Sequence, residues 1–271
     1  MRMSKPIRLR GRVLGGGREP LVCAPLVAPD LDGLRVEAAQ VLARKPDLLE
    51  WRVDFFQDLA DAPGGVEAAG MLRQQAADVP ILFTRRSIRE GGQAIAASEE
   101  QVSAAIEAVC AAGLVDLVDC ELASQPAHFQ RARAAAASCG ALLVGSFHDF
   151  QRTPDAQELV SRFAAAAHLG ADVAKVAVMP RDLDDVLCLL QATLRASRAI
   201  DLPLIAMSMG PYGSLTRLCG WMFGSSVSFA VGGRASAPGQ VPIEDVRTAA
   251  ELLHRSLEAA TPEDACRAAA S

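Results

Sequence analysis

Short aliphatic and β-branched runs alternate with longer Ala-, Leu-, Glu- and Arg-rich segments through nearly the whole chain. Short apolar runs bounded by turn residues read as strands, and longer periodic segments as helices. The pattern predicts eight strands, over residues 21–27, 48–55, 80–86, 115–122, 141–148, 172–179, 203–209 and 227–231. Helices are predicted between and after them, over 31–45, 64–77, 98–112, 125–138, 155–169, 181–199, 213–222 and 242–260. Strand, helix, strand at about thirty residues per unit marks βαβ units around a parallel sheet. Ser98 with Gln101 three residues later resembles a capping box, and Thr153-Pro154-Asp155 and Pro180-Arg181-Asp182 read as helix starts. Gly113, Gly140 and Gly170 each follow an Ala-rich helix, where a C-terminal cap needs positive φ.

Eight such units close into a (β/α)8 TIM barrel, whereas an open doubly wound sheet needs a switch point and usually a Gly-rich phosphate loop. Gly15-Gly16-Gly17 precedes the first strand and is no such loop. Residues 7–13 alternate enough for a small hairpin ahead of the barrel. The expected organisation is an N-terminal extension with the hairpin over 1–20, a catalytic barrel over 21–260 and a frayed tail over 261–271.

Composition narrows the function classes. A chain of 271 residues, 51% hydrophobic, can bury one large core. Its formal charge of -5, without a Lys/Arg run, argues against nucleic acid and acidic membranes as partners. Seven scattered cysteines, with no CxxC pair and no zinc-like Cys/His spacing, read as reduced thiols. No stretch reaches the roughly 18 apolar residues of a membrane span, and the start lacks a secretory signal's apolar core. The expected setting is the cytoplasm.

Strands covered on both faces should be apolar, and a charge inside one costs several kcal/mol unless it is paired or functional. Here Glu50-Trp51-Arg52-Val53-Asp54, Thr84-Arg85-Arg86, Asp119-Cys120-Glu121 and Ser146-Phe147-His148-Asp149 fall at the C-terminal ends of strands, and Lys175 lies between Ala174 and Val176. Period two puts Glu50, Arg52 and Asp54 on one face, with Thr84 and Arg86, Asp119 and Glu121, and Ser146 and His148 likewise paired. That end is the barrel mouth, where such enzymes hold their catalytic groups. Structural ion pairs are the alternative for any one residue; complementary chemistry on successive strands favours a site for the set.

A strand lysine flanked by apolar residues is either snorkelling or buried as an amine nucleophile for a carbonyl. His148 on the preceding strand can relay protons for carbinolamine formation and collapse. Glu90, before Gly91-Gly92, is placed to orient the imidazole. Neighbouring arginines are expected to oppose protonation of Lys175. Arg217 at a helix start and the Ala235-Ser236-Ala237-Pro238-Gly239-Gln240 loop suit a carboxylate clamp with a closing lid, against the alternative of an ordinary turn.

The ordered motifs LEWRVDFF, FTRRSIREGG, VDCEL, SFHDF, AKVAVMP, MSMGPYGSLTRL, FGSS and SAPGQ, over about residues 20–258, resemble those of type I 3-dehydroquinate dehydratases. The resemblance implies a commonly dimeric barrel that converts 3-dehydroquinate to 3-dehydroshikimate in the shikimate or quinate pathway, without a metal or organic cofactor. It also implies Lys175 as the Schiff-base lysine, His148 as the general acid and base, and Glu90 as the carboxylate assisting it. Glu50, Arg52 and Arg86 correspond to residues binding substrate hydroxyls, and Arg217, Ser236 and Gln240 to those holding its carboxylate. A serine carried by some members in the first barrel strand is Pro25 here, and Gly232-Gly233-Arg234 before the lid departs from the expected loop. A class I aldolase and a non-catalytic small-molecule sensor remain as competing readings.

Overall fold

The computed structural model describes residues 6–16, 19–60 and 62–258. A two-stranded antiparallel hairpin, β1 (Ile7–Leu9) and β2 (Arg12–Leu14), precedes eight parallel strands. These are β3 (Leu21–Leu26), β4 (Leu48–Arg52), β5 (Ile81–Thr84), β6 (Leu117–Glu121), β7 (Leu142–Asp149), β8 (Val173–Val178), β9 (Leu204–Ser208) and β10 (Val227–Phe229). Helices α1 (Leu31–Ala43), α2 (Ala62–Ala76), α3 (Glu99–Ala111), α4 (Pro126–Cys139), α5 (Ala156–His168), α6 (Leu183–Ala199), α7 (Ser214–Cys219) and α8 (Ile243–Glu258) follow the strands in turn. Strand order runs β10-β3-β4-β5-β6-β7-β8-β9. A parallel bridge from Leu204 to Ser225, just ahead of β10, brings the two edges together. The expected (β/α)8 barrel and N-terminal hairpin are both present.

Local chemistry explains the boundaries. Ser98 and Gln101 form the reciprocal capping box of α3, and Asp155 and Asp182 cap α5 and α6 by accepting backbone N–H bonds. Gly140 closes α4 in the left-handed conformation at φ 75. Several expected elements are shorter than their apolar pattern, among them β4 and the seventh helix. β4 stops at Arg52 and rolls into a 3-10 turn over Val53–Phe55. There the Asp54 carboxylate accepts both Arg52 side-chain N–H bonds and the backbone N–H groups of Arg86 and Gln93, a tertiary arrangement that outweighs strand propensity. The seventh helix breaks after Cys219 into a 3-10 turn over Gly220–Phe223. The expected tail over 261–271 lies outside the described residues.

Alternation along the strands separates two kinds of core. Leu49, Trp51 and Val53 face the helices, where Trp51 packs edge-on against Phe56 and Phe83 at 5.5 Å. Leu48, Leu82, Leu117, Val144, Val173 and Ile205 meet inside the barrel, joined from below by Leu9 and Leu14 of the hairpin. The hairpin thus plugs the N-terminal end with hydrocarbon. Asp116 fastens it there, since its carboxylate meets Arg10 at 2.5 Å and Arg73 at 2.8 Å and accepts the Ile81 N–H. Two residues further along the same strands the interior turns polar, and the site begins.

Candidate active site

Lys175 stands on β8 directly above Val173, next to Ser146 in the strand register, and is 3% exposed. Its ammonium donates to Glu50 Oε1 at 3.2 Å and Asp119 Oδ2 at 3.3 Å and lies 4.5 Å from the Phe229 ring centroid. Its first neighbours are carboxylates, because the arginines are already engaged. Arg52 forks onto Asp54, and Arg86 meets Asp119 at 2.8 Å and Glu121 at 3.0 Å. Against the pull of burial, Asp119, Glu121 and Glu90 hold the Arg86 guanidinium above its ordinary range. Burial raises Asp119, but Arg86, Lys175 and the Ser146 hydroxyl together bring it below the usual carboxylate range.

His148, near the end of β7, pairs in register with Ala177 of β8, which places its ring one interior step nearer the mouth than Lys175. Its Nδ1 lies 2.9 Å from Glu90 Oε2, and its backbone N–H donates to the same oxygen at 3.0 Å. Glu90 therefore fixes the ring, leaving Nε2 for the pocket. Burial, together with the charges of Arg86, Lys175 and Arg52, pushes His148 well below the ordinary imidazole range. Burial and the nearby Glu121 push Glu90 the other way, up to about 8. Neutral imidazole beside a carboxyl that retains its proton is a dyad able both to give and to take a proton near neutral pH.

Arg217 comes from α7, after the Gly210 turn that follows β9. It is 2% exposed and meets no carboxylate among the described residues: Nε donates to Gly239 O at 2.9 Å, and its other nitrogens reach the Phe229 and Pro238 carbonyls and Met207. Burial lowers it to about 10. A buried cation satisfied only by neutral acceptors is suited to an incoming anion. Ser236 and Gln240 brace the lid loop around it: the Ser236 N–H donates to Gln240 Oε1, Gln240 donates to the Ser236 hydroxyl, and Arg52 reaches the Ser236 carbonyl.

These parts line a pocket at the C-terminal mouth, and all nine residues singled out in the sequence belong to it: Glu50, Arg52, Arg86, Glu90, His148, Lys175, Arg217, Ser236 and Gln240. Met207, Met209, Phe229 and Phe150 add apolar walls that the sequence reading did not assign. It also missed the roles of Asp54, Asp119, Glu121 and Ser146 as partners of the arginines and the lysine; their polar character on the inward face was the available signal. Pro25 is buried on β3 opposite Glu50 and is not a pocket wall. Gly232 rests against Val41, and its carbonyl accepts from Arg44 at 2.9 Å, so the departure before the lid is tied to α1. Among the described residues no group of three or more His, Cys, Asp or Glu is arranged to hold a metal ion, and no helix is long and apolar enough to cross a membrane. The six described cysteines are free thiols.

Known proteins match this arrangement over nearly its whole length. The family model for type I 3-dehydroquinase matches residues 22–256. A 3-dehydroquinate dehydratase of Aromatoleum aromaticum is 54% identical over 258 residues, covering 95% of this chain and 99% of that protein. The crystal structure of 3-dehydroquinate dehydratase from Geobacillus kaustophilus superposes with a TM-score of 0.90 at 48% identity, covering 93% of this chain and 97% of that one. A type I 3-dehydroquinate dehydratase from Clostridium difficile, solved with covalently modified comenic acid, gives 0.89 at 35% identity, covering 93% and 99%. The lysine, the histidine dyad and the carboxylate-ready arginine thus sit in a chain that belongs to the type I 3-dehydroquinase family.

Proposed function

We propose that this chain is a Schiff-base hydro-lyase that converts 3-dehydroquinate to 3-dehydroshikimate and water, with Lys175 as the amine and His148 as the proton carrier. The observation that carries the reading is the joint presence, in one pocket, of a buried lysine, a Glu90-oriented histidine and an arginine that meets no carboxylate among the described residues. Family membership favours dehydration over the aldolase and sensor alternatives.

Arg217, Ser236 and Gln240 receive the substrate carboxylate, while Glu50, Arg52 and Arg86 take its hydroxyls. This fixes the ring with its C3 carbonyl over Lys175, and such fixation supplies several kcal/mol of the barrier reduction. Lys175 gives its ammonium proton to His148, the freed amine adds to C3, His148 returns that proton to the carbinolamine oxygen, and the hydroxyl departs with one N–H proton as water, leaving the protonated imine. Protonated, the imine draws electrons from the adjacent C2–H bond. Nε2 of His148 takes that proton, and the same nitrogen returns one to the C1 hydroxyl as the C1–O bond breaks. Water then hydrolyses the conjugated imine, which frees the product and regenerates the amine. Glu90 assists by stabilising the imidazolium that forms midway.

Borohydride added during turnover of 3-dehydroquinate should leave a single reduced adduct on Lys175, located by peptide mass spectrometry. No adduct, or an adduct elsewhere, overturns the assignment. The conjugated enone of the product gives a direct absorbance assay on the same samples. A single catalytic unit over residues 21–260, a homodimer and a cytoplasmic setting go with this proposal, and sedimentation of the purified protein checks the dimer.

A further inference from the structure

Glu50, Asp119 and Glu121 face Arg86 and Lys175 in one connected network, three carboxylates to two cations among these residues. Both oxygens of Asp119 are used: Oδ1 accepts the Ser146 hydroxyl at 2.6 Å and meets Arg86, and Oδ2 accepts from Lys175. Its side chain is fully buried and is not a pocket wall, whereas Glu50 lines the pocket and also accepts the Thr84 hydroxyl. Asp119 therefore reaches the reacting carbon through Lys175, and meets the substrate-binding side of the pocket through Arg86. When Nζ becomes doubly bonded to C3 it keeps one hydrogen, so the two acceptors that share the ammonium compete for a single N–H. Glu50 is the carboxylate that an incoming hydroxyl draws away; Asp119 is the one held in place from behind.

We propose that Asp119 is a positioning residue that serves as the counter-ion of the protonated Lys175 imine, keeping its N–H and its charge through dehydration. Asp119 forms no bond to substrate. The imine nitrogen is positive before C2–H cleavage, becomes a neutral enamine nitrogen when His148 takes the C2 proton, and is positive again once the C1 hydroxyl has left with a proton from His148. A fixed anion beneath the nitrogen stabilises both charged stages and keeps the electron sink available. This inference rests on the Lys175 assignment above.

The test is cyanoborohydride trapping, which reduces protonated imine in strong preference to neutral imine, across a pH series with 3-dehydroquinate. Intact mass reads the adduct, and kcat and KM are taken on the same preparations. In Asp119→Asn, the alkaline limit of trapping should move toward acid by roughly one pH unit or more. Its kcat should fall roughly ten-fold or more with much smaller change in KM, the sign of an interaction made in the charged intermediates. Ser146→Ala removes a hydrogen bond that draws charge from Asp119, so its trapping limit should move the opposite way, toward alkali. Should Asp119→Asn fail to fold, the direction seen in Ser146→Ala decides alone. An unmoved limit in the Asn variant, or an acid shift or none in the Ala variant, overturns the inference while a wild-type Lys175 adduct leaves the proposed function standing. Absence of that wild-type adduct overturns both.

Discussion

Glu90 and His148 are displaced in opposite directions by one burial, which makes their pH behaviour predictable. Glu90 titrates at about 8 and His148 well below its usual range, so raising the pH withdraws the proton the pair shares and increases the basic form at Nε2. The rate of C2–H cleavage should therefore rise with pH and level off near the Glu90 value. In Glu90→Gln that limb should vanish and kcat should drop by roughly 10- to 100-fold, measured by enone absorbance. Stability carries a second signature. A carboxyl raised on folding contributes most below its unfolded value and loses that contribution as pH climbs through its folded value. Melting curves should thus show the wild type losing ground to Glu90→Gln as pH rises from about 5 to about 8. Glu50, Arg52, Arg86, His148 and Lys175 could be read from the sequence because period two exposes a polar face in strands that ought to be apolar, whereas Glu90, Arg217, Ser236 and Gln240, on loops and a helix, were legible from their motifs. Which acid meets which base could not, because strand stagger decides it: Arg86 reaches across to Asp119 and Glu121 on β6 and to the Ser146 hydroxyl on β7.

Among the elements, the lid between β10 and α8 is set by close backbone contact. Gly239 adopts φ +77, and a Cβ there would lie 2.0 Å from the Gly210 carbonyl oxygen, too close for any side chain. Gly210 meanwhile donates its N–H to Pro238 O at 3.2 Å, and Arg217 holds both Pro238 and Gly239. Gly239→Ala should hold the lid away from Arg217, raising KM roughly ten-fold or more while the melting temperature stays close to wild type. A loop rich in Gly, Pro and Ser is legible as a loop; its seating on Gly210 is not, since that depends on two turns brought together across the barrel mouth. The shortened β4 has the same origin, because two of the four donors to Asp54 come from the loop after β5, the other two being the Arg52 side chain.

At the level of the whole molecule, the two ends of the barrel divide the labour. The alternation of strands and helices revealed the (β/α)8 architecture and its hairpin, since eight repeats of one local pattern admit few closures. Stability groups at the closed end lie far from the chemistry at the other. Leu14→Ala, which empties part of the plug, should cost about 2–4 kcal/mol in chemical denaturation and leave kcat within about two-fold of wild type.

The hydrocarbon plug also governs oxygen traffic. With Leu9 and Leu14 packed at the far end, the water expelled as the imine forms leaves by the mouth, beneath the lid, and while the lid is shut that molecule should remain at hand for the final hydrolysis. Ketone labelled with heavy oxygen at C3 and carried through a single rapid turnover in ordinary water should yield product that retains part of its label. In Gly239→Ala, where the lid stands open, the same label should wash out into the solvent.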